Sequence, residues 1–146
     1  MHFEYVEHLT RDIFAAQYFT VKIHKSYVNQ NGQKHNIYGP ACEWSSYTGT
    51  PTLRYYILGN LHREHCPAVI AYHHDHTLRS IEYFRHGRIH RDDGPAEIIY
   101  HRNGQINILC WYVNGMLDWN KGQPREFYDE QGMRRSCGNS LHGFLQ

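Results

Sequence analysis

Residues 87–100 read GRIHRDDGPAEIIY, and residues 59–72 read GNLHREHCPAVIAY. Both carry the frame Gly-x-x-His-Arg-x-x-x-Pro-Ala-x-Ile-x-Tyr, at an offset of 28 residues. The rhythm continues outward. Gly59, Gly87, Gly115 and Gly143 are spaced 28 apart, and Gly32 precedes Gly59 by 27. Pro40, Pro67, Pro95 and Pro124 follow at 27, 28 and 29, and Tyr72, Tyr100 and Tyr128 at 28. Three residue types keeping step define a repeat, and such a unit buries its apolar face only against its neighbours.

Each unit reads as two strands. After the Pro comes AVIAY (68–72), AEIIY (96–100) or REFY (125–128). A turn follows, RNG at 102–104 or EQG at 130–132, and then TLRSIEYFR (77–85) or QINILCWYV (105–113) as one continuous strand. Asn103-Gly104 predicts a type I′ hairpin turn, which needs positive φ at both central residues. Asp75-His76 occupies the same slots. His is less at ease there, so that tip is expected to be wider. Gly59, Gly87 and Gly115 begin the connecting turns, where Gly tolerates positive φ, and Pro67 and Pro95 end them. A lone hairpin is marginal in water, so a series of them is expected to pair into one meander.

The expected fold is therefore mostly β: an antiparallel meander of stacked hairpins with a short N-terminal helix, in one domain spanning 1–146. Residues 31–143 hold four hairpin repeats, and 1–30 precede them. In EHLTRDIFAAQYF (7–19), Leu9, Ile13 and Ala16 recur at helical spacing with Thr10 as N-cap, so a helix is expected to cover a sheet edge. TVKIHKSYV (20–28) alternates like a strand.

Composition narrows the function classes. The chain has 146 residues and a formal net charge of +1 with thirteen His counted neutral. That is neither an acidic nucleic-acid mimic nor a strongly basic phosphate binder. Cys42, Cys66, Cys110 and Cys137 form no C-x-x-C pair, so zinc and thioredoxin-type signatures are absent. No secretory leader or membrane-length apolar run is read, and the expectation is a cytoplasmic protein with free thiols.

The phrase Gly-x-x-His-Arg-x-x-Gly-Pro-Ala, complete from Gly87 to Ala96, resembles MORN-like repeat variants of phage, giant-virus and some bacterial proteins. The resemblance covers 31–143. The second unit departs from it with Cys66 in place of Gly, and the first with Asn36 in place of Arg. It implies hairpin stacks that serve as scaffolds and binding surfaces, without a catalytic site.

Candidate site residues follow from the same alignment. His35, His62 and His90 occupy equivalent slots in successive hairpins, roughly 9–10 Å apart, which is too far to share one metal ion. They are expected to bond turn carbonyls. Arg63 and Arg91 follow them and are expected either to tie the turn or to face an acidic partner. Tyr55, Tyr83 and Trp111 align at 28-residue intervals, as do Tyr56, Phe84 and Tyr112. The two sets point to opposite faces. Aromatic surface with Arg is typical of protein-binding hot spots, so Tyr55, Tyr83, Trp111, Arg63 and Arg91 are the partner-binding candidates.

HHDH at 73–76 makes His74 and His76 the only metal candidates, and no cofactor is expected. HLT (8–10) and HKS (24–26) resemble the paired His-x-Thr/Ser motifs of some phosphoesterases. The leading expectation is a non-catalytic protein-binding protein, such as a phage-type inhibitor that blocks a host defence complex (an anti-CRISPR is one form). A small His-dependent hydrolase or nuclease and a single-strand nucleic-acid binder are the alternatives. Direct nucleic-acid binding is disfavoured by the charge, and no membrane partner is expected.

Overall fold

The structure is a computed structural model and describes residues 4–11, 21–45, 50–121 and 123–135. In chain order the strands are β1 (Glu4–Arg11), β2 (Val21–Val28), β3 (Cys42–Ser45), β4 (Pro51–Arg54), β5 (Tyr56–Ile57), β6 (Asn60–Leu61), β7 (Val69–Tyr72) and β8 (Leu78–Glu82). They continue with β9 (Phe84–Arg85), β10 (Arg88–Ile89), β11 (Glu97–Tyr100), β12 (Ile106–Cys110), β13 (Tyr112–Val113), β14 (Met116–Leu117), β15 (Arg125–Tyr128) and β16 (Arg134–Arg135). Ten of them pair antiparallel in the order β1-β2-β3-β4-β7-β8-β11-β12-β15-β16. The other six form two-stranded ribbons, β5-β6, β9-β10 and β13-β14.

The ribbons revise the expected connecting turns. QINILCWYV is not one strand: it breaks at Trp111, as the preceding units break at Tyr55 and Tyr83. Each of these aromatics joins two sheets. Tyr55 N donates to Ala68 O (2.8 Å), while Tyr55 O accepts from His62 N (3.1 Å) on the far side of the ribbon. Tyr83 bonds Ala96 and His90 in the same way, and Trp111 bonds Pro124 and Asp118. Tyr27, with Ala41 and His35, makes the equivalent joint in the first unit. Pro124 thus stands in the slot of Ala41, Ala68 and Ala96. The extra residue in the 29-residue spacing to Pro95 puts it one place beyond the Pro slot.

The turn types are exchanged relative to the sequence reading. At the main-sheet tips Gly104 N donates to His101 O (3.0 Å) and His101 N to Gln105 O (2.8 Å). Only Gly104 has positive φ (+84°). This is a type I turn followed by a left-handed residue, with a bulge between Ile99 and Tyr100. The tip with Asp75-His76 is not wider. It keeps both bonds (His76 N to His73 O, His73 N to Thr77 O), and His76 adopts φ +63°. The type I′ turns lie in the ribbons, at Leu58-Gly59 (φ +49°, +81°), His86-Gly87 (+49°, +79°) and Asn114-Gly115 (+51°, +88°).

β1 pairs with β2 from Glu4↔Val28 to Arg11↔Val21. Residues 7–11 of the expected helix are therefore strand, and 12–19 lie outside the described residues. The alternation read in 20–28 is β2.

Registers run straight across the meander. One rung is Cys42, Arg54, Val69, Glu82, Glu97, Cys110 and Arg125. The next is Glu43, Leu53, Ile70, Ile81, Ile98, Leu109 and Glu126. Directly opposed residues share a face and successive ones alternate, so the two rungs lie on opposite faces. The core sits on the first face, where Cys42, Val69, Ala71, Ser80 and Cys110 are buried. Leu53, Ile70, Ile81, Ile98 and Leu109 are half-buried.

Candidate binding surface

The repeated histidines hold the units together by a bond of the opposite sense to that expected. His35 Nδ1 accepts from Leu58 N (3.1 Å), His62 Nδ1 from His86 N (3.2 Å) and His90 Nδ1 from Asn114 N (3.1 Å). Each donor is the first left-handed residue of the next ribbon turn. The second residue bonds beside it: Gly59, Gly87 and Gly115 N donate to Lys34, Leu61 and Ile89 O (2.8–2.9 Å). An Nδ1 that accepts must carry no proton, so the neutral imidazole with its proton on Nε2 fits these seams. That nitrogen faces a carboxylate in two units. His62 Nε2 hydrogen-bonds Glu64 Oε1 (3.3 Å), whereas His90 Nε2 lies 3.0 Å from Asp92 Oδ1 but off the hydrogen-bond direction. The rings of His62 and His86 stack at 4.6 Å. In the fourth unit Asp118 takes the His slot, and its Oδ1 accepts from Asn120 N (3.0 Å), capping a short 3-10 turn at Trp119–Lys121.

Arg63 and Arg91 are tied down. Their Cζ atoms lie 3.9 and 4.0 Å from the centroids of Tyr55 and Tyr83, and Nη1 of each donates to the carbonyl of Pro67 or Pro95 (3.4 and 3.3 Å). Asn36 Nδ2 makes the matching bond to Pro40 O (3.1 Å). Arg91 Nε also donates to Asp93 (2.9 Å), and Arg85 pairs with Asp92 (2.8 Å). A Cβ at Gly94 would stand 3.2 Å from Arg91 Cζ, the far end of a flexible side chain, and Cys66 fills the same slot beside Arg63. Between the second and third units these groups line a groove of about 250 Å³ whose wall includes Tyr83, Phe84 and Arg85.

Tyr55, Tyr83 and Trp111 each follow a residue of the core-face rung, so they begin on the face of Leu53, Ile70, Ile81, Ile98 and Leu109. Tyr100 shares it: burial pushes its phenol up, Tyr83 adds to this and Arg91 opposes it. Tyr56 and Tyr112 start on the other face. Arg54 and Cys42 act on Tyr56, whose phenol burial also raises, and Tyr112 Oη accepts from Arg125 Nη2 (3.3 Å). Lys34 Nζ sits 5.2 Å over the Tyr56 ring. The five partner-binding candidates thus gather along one side of the sheet, with both arginines roofing tyrosines.

The core face carries an acidic pair that the repeat pattern does not announce. Glu82 opposes Glu97 directly. Burial raises the Glu82 carboxyl, Glu97 raises it further, and Arg54 and Arg79 counter. Burial pushes the neighbouring Cys110 thiol up to about 11, with Glu97 adding to it. Only the cross-strand register reveals this cluster, since Glu82 and Glu97 are far from conspicuous in sequence.

At the HHDH tip Asp75 is already engaged. Its Oδ1 accepts from Thr77 N (3.0 Å) and Thr77 Oγ1 (2.6 Å), and these bonds hold its carboxyl below the usual carboxylate range. The Arg102 guanidinium contacts the His74 ring at 3.1–3.2 Å. His76 shapes the turn by its positive φ. Among the described residues no group of three or more His, Cys, Asp or Glu is arranged to hold a metal ion. His8 and His24 of the two His-x-Thr/Ser motifs oppose each other in the β1–β2 register, while Thr10 opposes Lys22 and Ser26 opposes Val6.

Among the described residues no helix is long and apolar enough to cross a membrane. No family model, curated protein or solved structure matches the chain. The class that fold and surface define is a stacked-hairpin repeat protein.

Proposed function

We propose that the chain is a non-catalytic protein-binding protein that acts by covering a surface of its target. The observation that carries this reading is the rung Leu53, Ile70, Ile81, Ile98, Leu109, five aliphatic side chains in direct register, each half-buried. Five strands at ~4.8 Å spacing make a strip roughly 19 Å wide. Tyr55, Tyr83, Trp111, Arg63 and Arg91 border it, supplying the aromatic and guanidinium groups that favour interface centres. The net charge of +1 favours a protein over a nucleic-acid ligand. The phage-type resemblance of the repeat phrase gives the reading its concrete form: an inhibitor of a host machine such as a bacterial defence complex, working in the host cytoplasm.

The test is capture of targets from host extract by the intact chain, in parallel with Tyr100→Ser and Ile98→Lys variants shown by circular dichroism to keep their sheet. A target recovered with wild type and lost with both variants supports the face. Equal recovery with the variants, or no stoichiometric target, refutes it.

A second reading rests on the register that sets His8 directly opposite His24, one residue from each His-x-Thr/Ser motif. Hydrolysis of a phosphodiester by purified protein, abolished in both His8→Ala and His24→Ala, would replace the first reading.

A further inference from the structure

The second and third units share the His-Arg dipeptide, and their two arginines start alike. Each guanidinium lies over a tyrosine ring and donates from Nη1 to the carbonyl of the following Pro. They part at Nε. Arg91 Nε donates to Asp93 Oδ1 at 2.9 Å, a bond that holds the Asp93 carboxyl below the usual carboxylate range. In the second unit His65 fills the Asp93 slot. His65 adopts φ +54°, its side chain is 94% exposed, and its Nε2 lies 3.8 Å from Glu64 Oε2. Arg63 Nε is therefore left without an acceptor among the described residues. Every residue lining the groove of about 250 Å³ between these units is described. Its carboxylates are engaged: Glu64 by His62, Asp92 by Arg85 and Asp93 by Arg91. Of its three guanidiniums, Arg85 and Arg91 hold a carboxylate and Arg63 does not.

We infer that Arg63 is a carboxylate-binding site, taking an Asp or Glu side chain of a partner protein into this groove. The inference rests on the reading of the chain as a protein-binding protein and deepens it by naming the group recognised. The occupant follows from the chain's own arrangement. The third unit supplies a carboxylate to the same fork of donors, and the second leaves it to be supplied from outside. Tyr55 and the Pro67 carbonyl already hold the Arg63 guanidinium, so little side-chain freedom is lost when the carboxylate arrives. Both partners in the new bond are charged, which strengthens it.

The test titrates acetylated hexaglutamate and hexaglutamine peptides into the full chain and follows the Arg Nε–Hε signals by NMR. The expected result is a saturable shift at Arg63 with hexaglutamate, none with hexaglutamine, and none at Arg91, whose Nε is already bonded. Arg63→Gln should weaken binding at least ~10-fold, the loss of one charge-assisted bond. Arg63 also packs on Tyr55, so a second variant keeps it in place: Asp93→Ala releases Arg91 Nε and should give Arg91 the shift that Arg63 shows in the wild type. Absence of a saturable shift at Arg63 overturns the inference, as does equal binding of hexaglutamine or an Arg91 that stays silent in Asp93→Ala. Inorganic phosphate binding as tightly as the peptide also overturns it, by making the place a general anion site. The titration needs no target, so its failure is distinct from failure of the capture experiment. A target retained by Arg63→Gln and lost by the sheet-face variants would keep the protein-binding reading and remove this one.

Discussion

Replacing His62 isolates what one seam contributes. The imidazole is 8% exposed, accepts from His86 N at 3.2 Å and stacks on the His86 ring at 4.6 Å. His62→Leu fills a similar volume without an acceptor, whereas His62→Asn keeps an acceptor oxygen near the Nδ1 position. The turn at 86–87 is solvent-exposed, so water recovers part of the released N–H. The hydrogen bond is then worth about 1 kcal/mol, and the ring stack adds ~0.5–1 kcal/mol. His62→Leu is expected to cost about 1.5–2 kcal/mol in urea unfolding, and His62→Asn about 1 kcal/mol less than that. For a chain of this size the Leu variant should melt roughly 5 °C lower. Native-state hydrogen exchange gives the local view: the His86 amide should exchange faster in His62→Leu and stay protected in His62→Asn. Equal stability of the two variants, with unchanged protection at His86, would refute the seam as a source of cohesion.

Three further outcomes are expected. Leu58 holds φ +49° where the fourth unit has Asn114 at +51°; Leu58→Asn relieves a conformation unfavourable for Leu and should stabilise by ~0.5–1 kcal/mol in urea titration. The Glu82 carboxyl is raised by burial and by Glu97, so the folded state binds its proton more tightly than the unfolded state does. Its contribution is intact below the ordinary Glu range and is lost as pH rises through the folded value. Glu82→Gln should therefore match wild type at acid pH and exceed it in stability at pH ~7. Cys110, with its thiol at about 11, should resist iodoacetamide at pH ~8 until urea unfolds the chain, while half-exposed Cys66 reacts in the native state. The same shift should cost stability as pH climbs from the ordinary thiol value toward 11.

The meander was legible because Gly, Pro and Tyr hold a 28-residue step, and a step of that length has few physical solutions. The ribbons were not. Trp111 and Tyr83 continue an alternating apolar run, and nothing in that run marks the residue whose N–H serves one sheet and whose C=O serves another. The turn types were misread for a related reason. Asn103-Gly104 carries a strong dipeptide signal, yet the loop there has three residues and needs one left-handed position. His86-Gly87 and Leu58-Gly59 lack the favourable first residue and still adopt two, because a neighbouring imidazole accepts the strained residue's N–H. That tertiary bond outweighs local preference. The His slots were visible, but the expected bonds to turn carbonyls are replaced by bonds from turn amides, because the partner depends on which turn group faces the ring. Helical spacing at Leu9, Ile13 and Ala16 competed with the pairing available to β1 along the edge of β2, and over residues 7–11 the pairing prevailed.

Identical joints also bear on how the gene can change. Since each boundary presents the same carbonyl and imidazole below and the same two amides above, a 28-residue cassette has matching ends. Duplicating or deleting one would leave the surviving junctions chemically unchanged and alter only the reach of the molecule, by two strand widths or about 9.6 Å. Unequal recombination within such a gene offers a direct route to longer and shorter homologues.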